Sequence, residues 1–241
     1  MKPFLLIQSR PEDETSDNEY EAFVHYSELQ QAQLVRFRIE SNPLPDIDLN
    51  DYSGILVGGG PFNSSDPETK KSAAQKRVEQ EMSKLLDTII ENDFPFLGAC
   101  YGIGLLGTHQ AGIISSRYNE DVGAKQISIE KDDPLFKGIT SPFTAFAGHK
   151  EACEKLPPTA TLLASSKQCP VQMFKIKQNI YATQFHPELD SQGLETRIRI
   201  YKHHGYFKPE EMDELIAHGH SVAVTEPMKI LRNFVQYYSA T

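Results

Sequence analysis

Positive charge is what this chain is short of. Its 24 Lys and Arg stand against 33 Asp and Glu, a formal net charge of −9, and the isoelectric point is about 5.4. An acidic surface repels phosphate backbones and anionic headgroups, so neither nucleic acid nor a membrane is expected as a partner. Long apolar runs are missing as well: no segment approaches the ~18 consecutive apolar residues of a membrane span. The opening MKPFLLIQSR holds an apolar run of four or five residues, too short for the core of a signal peptide. Cysteine is scarce, with Cys100, Cys153 and Cys169 odd in number and lacking metal-type spacing. The expected setting is the reducing cytoplasm, where one of these thiols is free to be kept for its reactivity. Neither a metal nor a cofactor is expected.

What remains is the composition of a soluble globular protein, 39% hydrophobic and 24% charged over 241 residues. That suits one large core rather than a disordered chain. Short apolar runs alternate with amphipathic ones. Phe4–Ile7, Leu34–Ile39, Gly54–Val57 and Phe94–Ala99 read as strands, with helices between them over Glu19–Gln33 and from Asp66 onward. In the second helix Asp66 is the expected N-cap and Pro67 the first helical position. Val78, Met82, Leu85, Leu86, Ile89 and Ile90 then form one apolar stripe. This rhythm predicts an α/β fold, a mostly parallel sheet with helices on both faces. Short β-prone stretches between Gly123 and Phe185 predict an antiparallel extension. After Pro187 the chain reads as helical, with helices over Glu210–Ala217 and Pro227–Tyr237. The expected division is an α/β domain over 1–189 and a helical C-terminal extension over 190–241, packed on the same domain.

Within FPFLGACYGIGLLG, a cysteine stands between glycines, directly after one apolar run and before another. Gly98-Ala99-Cys100-Tyr101-Gly102 fits the G-x-nucleophile-x-G elbow, where a strand turns sharply into a helix and lifts the nucleophile above the sheet. A side chain at 98 or at 102 is expected to collide in so tight a turn. The helix N-terminus supplies roughly 0.3–1 kcal/mol, up to ~2, toward a thiolate. At ~1.36 kcal/mol per pKa unit that is about one unit, so a histidine partner is still needed. The expectation is that Cys100 reacts with alkylating agents well below pH 8, and Cys153 and Cys169 slowly. A buried, inert cysteine is the competing reading.

Of eight histidines, His186 stands out. It ends a predicted strand in YATQFHPE, just before a proline, and strand ends on that edge of a parallel sheet are where α/β sites assemble. Glu188, two residues on, is close enough to orient the imidazole through its other nitrogen. His149 occupies a polar turn in AGHKE and is expected to position substrate rather than act as base.

GACYG, the upstream GGGP and the downstream QFHPE, in this order and spacing, resemble the class I (triad) glutamine amidotransferase domain, in particular its stand-alone, GMP synthase-like members. The resemblance runs from about Phe4 to Leu189. It implies Cys100 as nucleophile, His186 as general base and acid, and Glu188 as the residue that orients it. It further implies an oxyanion hole of Gly60, with Gly59, and the backbone N–H of Tyr101. On the substrate side Gly104, His149 and Gln184 are the expected residues. Many members read C-x-G-x-Q, whose glutamine helps hold the substrate; here that place is Gly104, which implies a wider pocket. The implied reaction is hydrolysis of a γ-glutamyl amide through a thioester, releasing ammonia and glutamate. The substrate is then a small molecule, glutamine or a γ-glutamyl compound, and a separate acceptor or synthetase subunit is a possible partner. Two alternatives stand beside this: a γ-glutamyl peptidase or hydrolase acting alone on γ-glutamyl conjugates, and a non-catalytic regulatory module.

Overall fold

The computed structural model describes residues 1–239. In chain order it contains β1 (Phe4–Gln8), α1 (Asp13–Ser27), β2 (Leu34–Arg38), β3 (Gly54–Val57), α2 (Ala73–Asn92), β4 (Phe96–Ala99) and α3 (Tyr101–His109). These are followed by β5 (Ile113–Ser115), β6 (Glu120–Ile129), β7 (Phe143–His149), β8 (Ala152–Lys155), β9 (Ala160–Ser166), β10 (Met173–Ile176) and β11 (Ile180–Thr183). Helices α4 (Ser191–Ile200), α5 (Met212–Ser221) and α6 (Glu226–Tyr238) complete the described chain.

Nine strands form one sheet in the order β2-β1-β3-β4-β11-β10-β9-β6-β7, while β5 and β8 pair separately. From β2 to β11 every pairing is parallel; from β11 to β7 every pairing is antiparallel. Strand β1 shows how both faces are covered. Phe4 and Leu6 join the cluster that also takes Phe23 of α1 and Ile230, Leu231 and Phe234 of α6. Leu5 and Ile7, pointing the other way, join Val78, Met82, Leu86 and Ile89 of α2 and Leu106 of α3. The predicted apolar stripe of α2 is the buried one. Its start differs from the expectation: Asp66 and Pro67 form turns, and Ser72 caps the helix by accepting from the Gln75 N–H at 3.1 Å. Pro67 still punctuates the chain, but six residues earlier than the helix it was expected to open. The first helix likewise runs over Asp13–Ser27 rather than Glu19–Gln33.

Parallel pairing of β4 with β11 sets Thr183 beside Ala99, so both strands end on the same edge. Loops leaving that edge carry the candidate site. Among the described residues, no helix is long and apolar enough to cross a membrane.

Phe234, fully buried, meets the rings of Phe4, Tyr181 and Tyr238 at centroid distances of 6.2, 6.3 and 4.8 Å. Phe234→Ala should therefore destabilise the protein by about 3–5 kcal/mol, read from urea or thermal unfolding. A chain ending at residue 189 should bind hydrophobic dye and fail to unfold cooperatively, because the face that α6 covers would be bare. Cooperative unfolding of that fragment would show that 190–241 is a dispensable appendage.

Candidate active site

The turn between β4 and α3 holds Cys100 at φ 52° and ψ −93°, outside the regions open to residues with a side chain. Its N–H donates to the Thr183 carbonyl at 2.8 Å, which locks the elbow to the end of β11. A Cβ on Gly98 would lie 3.0 Å from Gly102 Cα, so glycine is required at 98. At 102 the expectation fails: a Cβ there meets only Val57 at 3.7 Å, an ordinary contact. Tyr101 is the first residue of α3, and its N–H is among the amides a helix cannot satisfy internally.

Three residues past the end of β11 stands His186, whose N–H donates to the Phe146 carbonyl of β7 at 3.0 Å. Its Nδ1 lies 2.8 Å from Glu188 Oε1 and 3.1 Å from Arg197 Nη1. A ring nitrogen cannot donate to one and accept from the other. With the proton on Nδ1 given to Glu188, Arg197 is left to donate through Nη2 to the same carboxylate oxygen at 2.9 Å. Nε2 then carries the lone pair. Cys100, His186 and Gly60 line one pocket with Arg10 and Arg197.

Behind the imidazole lies a buried ionic network that the sequence reading missed. Arg10, just past β1, donates Nε to Glu19 Oε1 at 2.8 Å and Nη1 to Tyr201 Oη at 3.0 Å. Glu19, on α1, also takes Gln8 Nε2 at 3.0 Å and the Gly59 N–H at 3.2 Å. Arg197, on α4, reaches Glu19 at 3.6 Å as well as Glu188. All four charged side chains are nearly excluded from solvent. Arg10 carried a positional signal, the C-terminal end of a strand. Glu19 carried none, since an acidic residue on an amphipathic helix is ordinarily solvated.

Burial pushes the Cys100 thiol up to about 12; Arg10 and Arg197 pull it down, and Glu188 and Glu151 push it further up. Burial thus favours the thiol in the resting site, against the expected low-pH reactivity. Burial also holds His186 below its ordinary 6.5 despite Glu188, so the imidazole is neutral and free to accept a proton. For Glu188 burial works against the charge, yet His186 and Arg197 hold the carboxyl well below the usual range.

Other expected site residues fall differently. Gly59 spends its N–H on Glu19, so it is no free oxyanion donor. Its role is close approach, since a Cβ there would lie 2.6 Å from both Arg10 Nη2 and His186 Cε1. Gly60 remains in the pocket wall. Gly104 does not widen the pocket: a Cβ on it would begin 2.7 Å from Ser64 Oγ and 2.8 Å from Glu151 Oε1. His149 is buried, with Nδ1 2.9 Å from the Glu151 carbonyl and Nε2 2.9 Å from Glu120 Oε2. It fixes a turn beside the site instead of facing the pocket. With Cys169 it brings one donor atom each from Glu120, His149 and Cys169 within 4.8 Å of one another. Gln172 and Ser166 also bond Glu120, so this set is held as a polar cluster by its own hydrogen bonds. Gln184 is buried and donates its N–H to the Gln172 carbonyl at 2.8 Å, within the sheet edge.

Residues 16–204 match the family model "Glutamine amidotransferase class-I". The chain belongs to the class I glutamine amidotransferase family. It is 31% identical over 151 residues to a glutamine-hydrolyzing GMP synthase subunit of Methanococcus aeolicus, covering 62% of this chain and 72% of that one. With the corresponding subunit of Methanosphaera stadtmanae it shares 28% over 174 residues, 69% of this chain and 85% of the other. A glutamine amidotransferase from Thermotoga maritima superposes with a TM-score of 0.81 at 17% identity, over the whole of both chains.

Two outcomes follow from the electrostatics. Iodoacetamide should label Cys100 ahead of the fully buried Cys153 and Cys169, with a rate that still climbs above pH 8 rather than levelling off below it. A plateau at mildly acidic pH would show a resting thiolate. The acid limb of kcat/KM should fall below pH 6.5, because a depressed imidazole pKa keeps the base unprotonated to lower pH.

Proposed function

We propose that this chain cleaves the γ-amide of glutamine or a γ-glutamyl compound by acyl transfer, with Cys100 as nucleophile, His186 as base and then acid, and Glu188 as the group that orients it. One observation carries the reading: a cysteine at positive φ on a strand-to-helix elbow shares a pocket with a neutral histidine from the neighbouring strand end. As the sulfur attacks, its proton passes to His186 Nε2, so thiolate and imidazolium form together rather than beforehand. The tetrahedral oxyanion lies toward the Gly60 and Tyr101 amides; a single such donor is typically worth about 2.7–4 kcal/mol of barrier. His186 returns the proton to the departing amine. Water activated by the same imidazole then releases glutamate from the thioester.

The relatives that are glutamine-hydrolyzing subunits of GMP synthase favour a separate synthetase chain as recipient of the ammonia. A second reading, a γ-glutamyl hydrolase acting alone, draws support from one feature. Beside His186 the pocket is walled by Leu194, Ile198 and Phe207, apolar surface for which ammonia has no use and a larger leaving group does. The free state of all three cysteines fits the reducing cytoplasm.

Purified protein should release glutamate from L-glutamine or a γ-glutamyl amide, and Cys100→Ala should abolish it. Stimulation of glutamine turnover by an added synthetase selects the first reading; release from γ-glutamyl peptides alone selects the second. If no such compound is turned over and no γ-glutamyl electrophile labels Cys100, the proposal falls.

A further inference from the structure

One turn along α3 from the thiol, three unusual features meet. The first is Glu151, whose carboxylate is buried and, among the described residues, paired with no cation. Its Oε1 accepts the Ser64 N–H and its Oε2 the Ser65 N–H, each at 2.7 Å. Burial pushes this carboxyl up, the Ser65 side chain and the Ser65 and Ser64 amides pull it down, and Asp66, of like sign, pushes it further up. The second is Ser64 Oγ, a buried hydroxyl without a hydrogen-bond partner. The third is Gly104, which bears no side chain at the point where both oxygens converge; a Cβ there would begin 2.7 and 2.8 Å from them and cover both.

Buried anions are ordinarily matched by a cation, and buried hydroxyls by a partner. Here the protein supplies neither. The niche also bears on the reacting centre, since Glu151 raises the Cys100 thiol and the Tyr206 hydroxyl in the pocket wall. Residues four apart lie on one helix face, about 6 Å along the axis at about 1.5 Å per residue. In a γ-glutamyl group the reacting carbon and the α-nitrogen are separated by four bonds of about 1.5 Å, a span of about 5 Å. A substrate acylating Cys100 can therefore lay its α-ammonium against Glu151.

We propose that Glu151, with Ser64 Oγ, is the subsite that receives the α-ammonium of the γ-glutamyl group, and that Gly104 is glycine so that both acceptors stay uncovered. This rests on the acyl-transfer reading above and adds a demand for a free α-amine. His149 is a positioning residue for the subsite: its ring holds the Glu151 carbonyl, and so the turn from which the carboxylate projects.

The test compares L-glutamine with N-acetyl-L-glutamine, which keeps the γ-amide and loses the α-ammonium. Wild-type protein should prefer glutamine in kcat/KM by roughly tenfold to a hundredfold, the range of a charge-assisted hydrogen bond. Glu151→Gln should bring that ratio toward one, mainly through KM for glutamine, and Glu151→Asp should keep part of it. Because both substrates are measured on one sample, a partly unfolded variant leaves the ratio intact. An unchanged ratio in Glu151→Gln overturns the subsite while glutamine turnover still stands. Absence of turnover with either amide, and with γ-glutamyl peptides, overturns the acyl-transfer reading and the subsite together.

Discussion

Four buried charges, two of each sign, hold the catalytic edge in one piece. Arg10 comes from the end of the first strand, Glu19 from the first helix, Glu188 from the loop after the last strand and Arg197 from the helix beyond it. None of these side chains keeps appreciable water, so each carries a desolvation cost that only its partners offset. Removing one leaves an uncompensated charge, which typically costs about 3–5 kcal/mol. The network therefore fixes more than the imidazole. Through the Gly59 amide it pins the glycine loop after β3, and through Tyr201 it draws in the chain beyond α4. His186, the Gly59 loop and Tyr201 are thus all tied to the same four groups.

That arrangement bears on how the sulfur is activated. Two guanidiniums beside a cysteine look at first like a device for making thiolate. Both are already engaged by carboxylates, so the net charge around the site is close to zero and burial dominates. Burial, which favours a neutral thiol and a neutral imidazole, disfavours an ion pair in this pocket before substrate arrives. On the acyl-transfer reading proposed above, charge appears only as the carbonyl is attacked, where the Gly60 and Tyr101 amides would meet it.

Much of this was legible in the sequence because it rests on local chemistry. The elbow glycines, the apolar run before them, and a histidine just beyond a strand and two residues ahead of a glutamate are short-range patterns with short-range causes. Strand-by-strand rhythm gave the parallel half of the sheet, and β-prone stretches gave part of the antiparallel half; Phe143–His149 went unnoticed. What escaped detection depends on partners far apart in the chain. Arg10 meets Tyr201 across 191 residues, and Glu151 meets Ser64 across 87. Nothing near Gly59 says that its amide is taken, because the acceptor sits 40 residues away on a helix. The misplaced start of α2 has a local cause, since Asp66-Pro67 opens a turn as readily as a helix and Ser72 offers a second cap.

The left-handed backbone at Cys100 has an evolutionary corollary. A residue with a side chain held at φ 52° and ψ −93° carries strain of order 1–3 kcal/mol, which glycine at the same place would relieve. Selection for folding alone thus pulls this position away from cysteine. A lineage that ceased to need the thiol would gain robustness by discarding it.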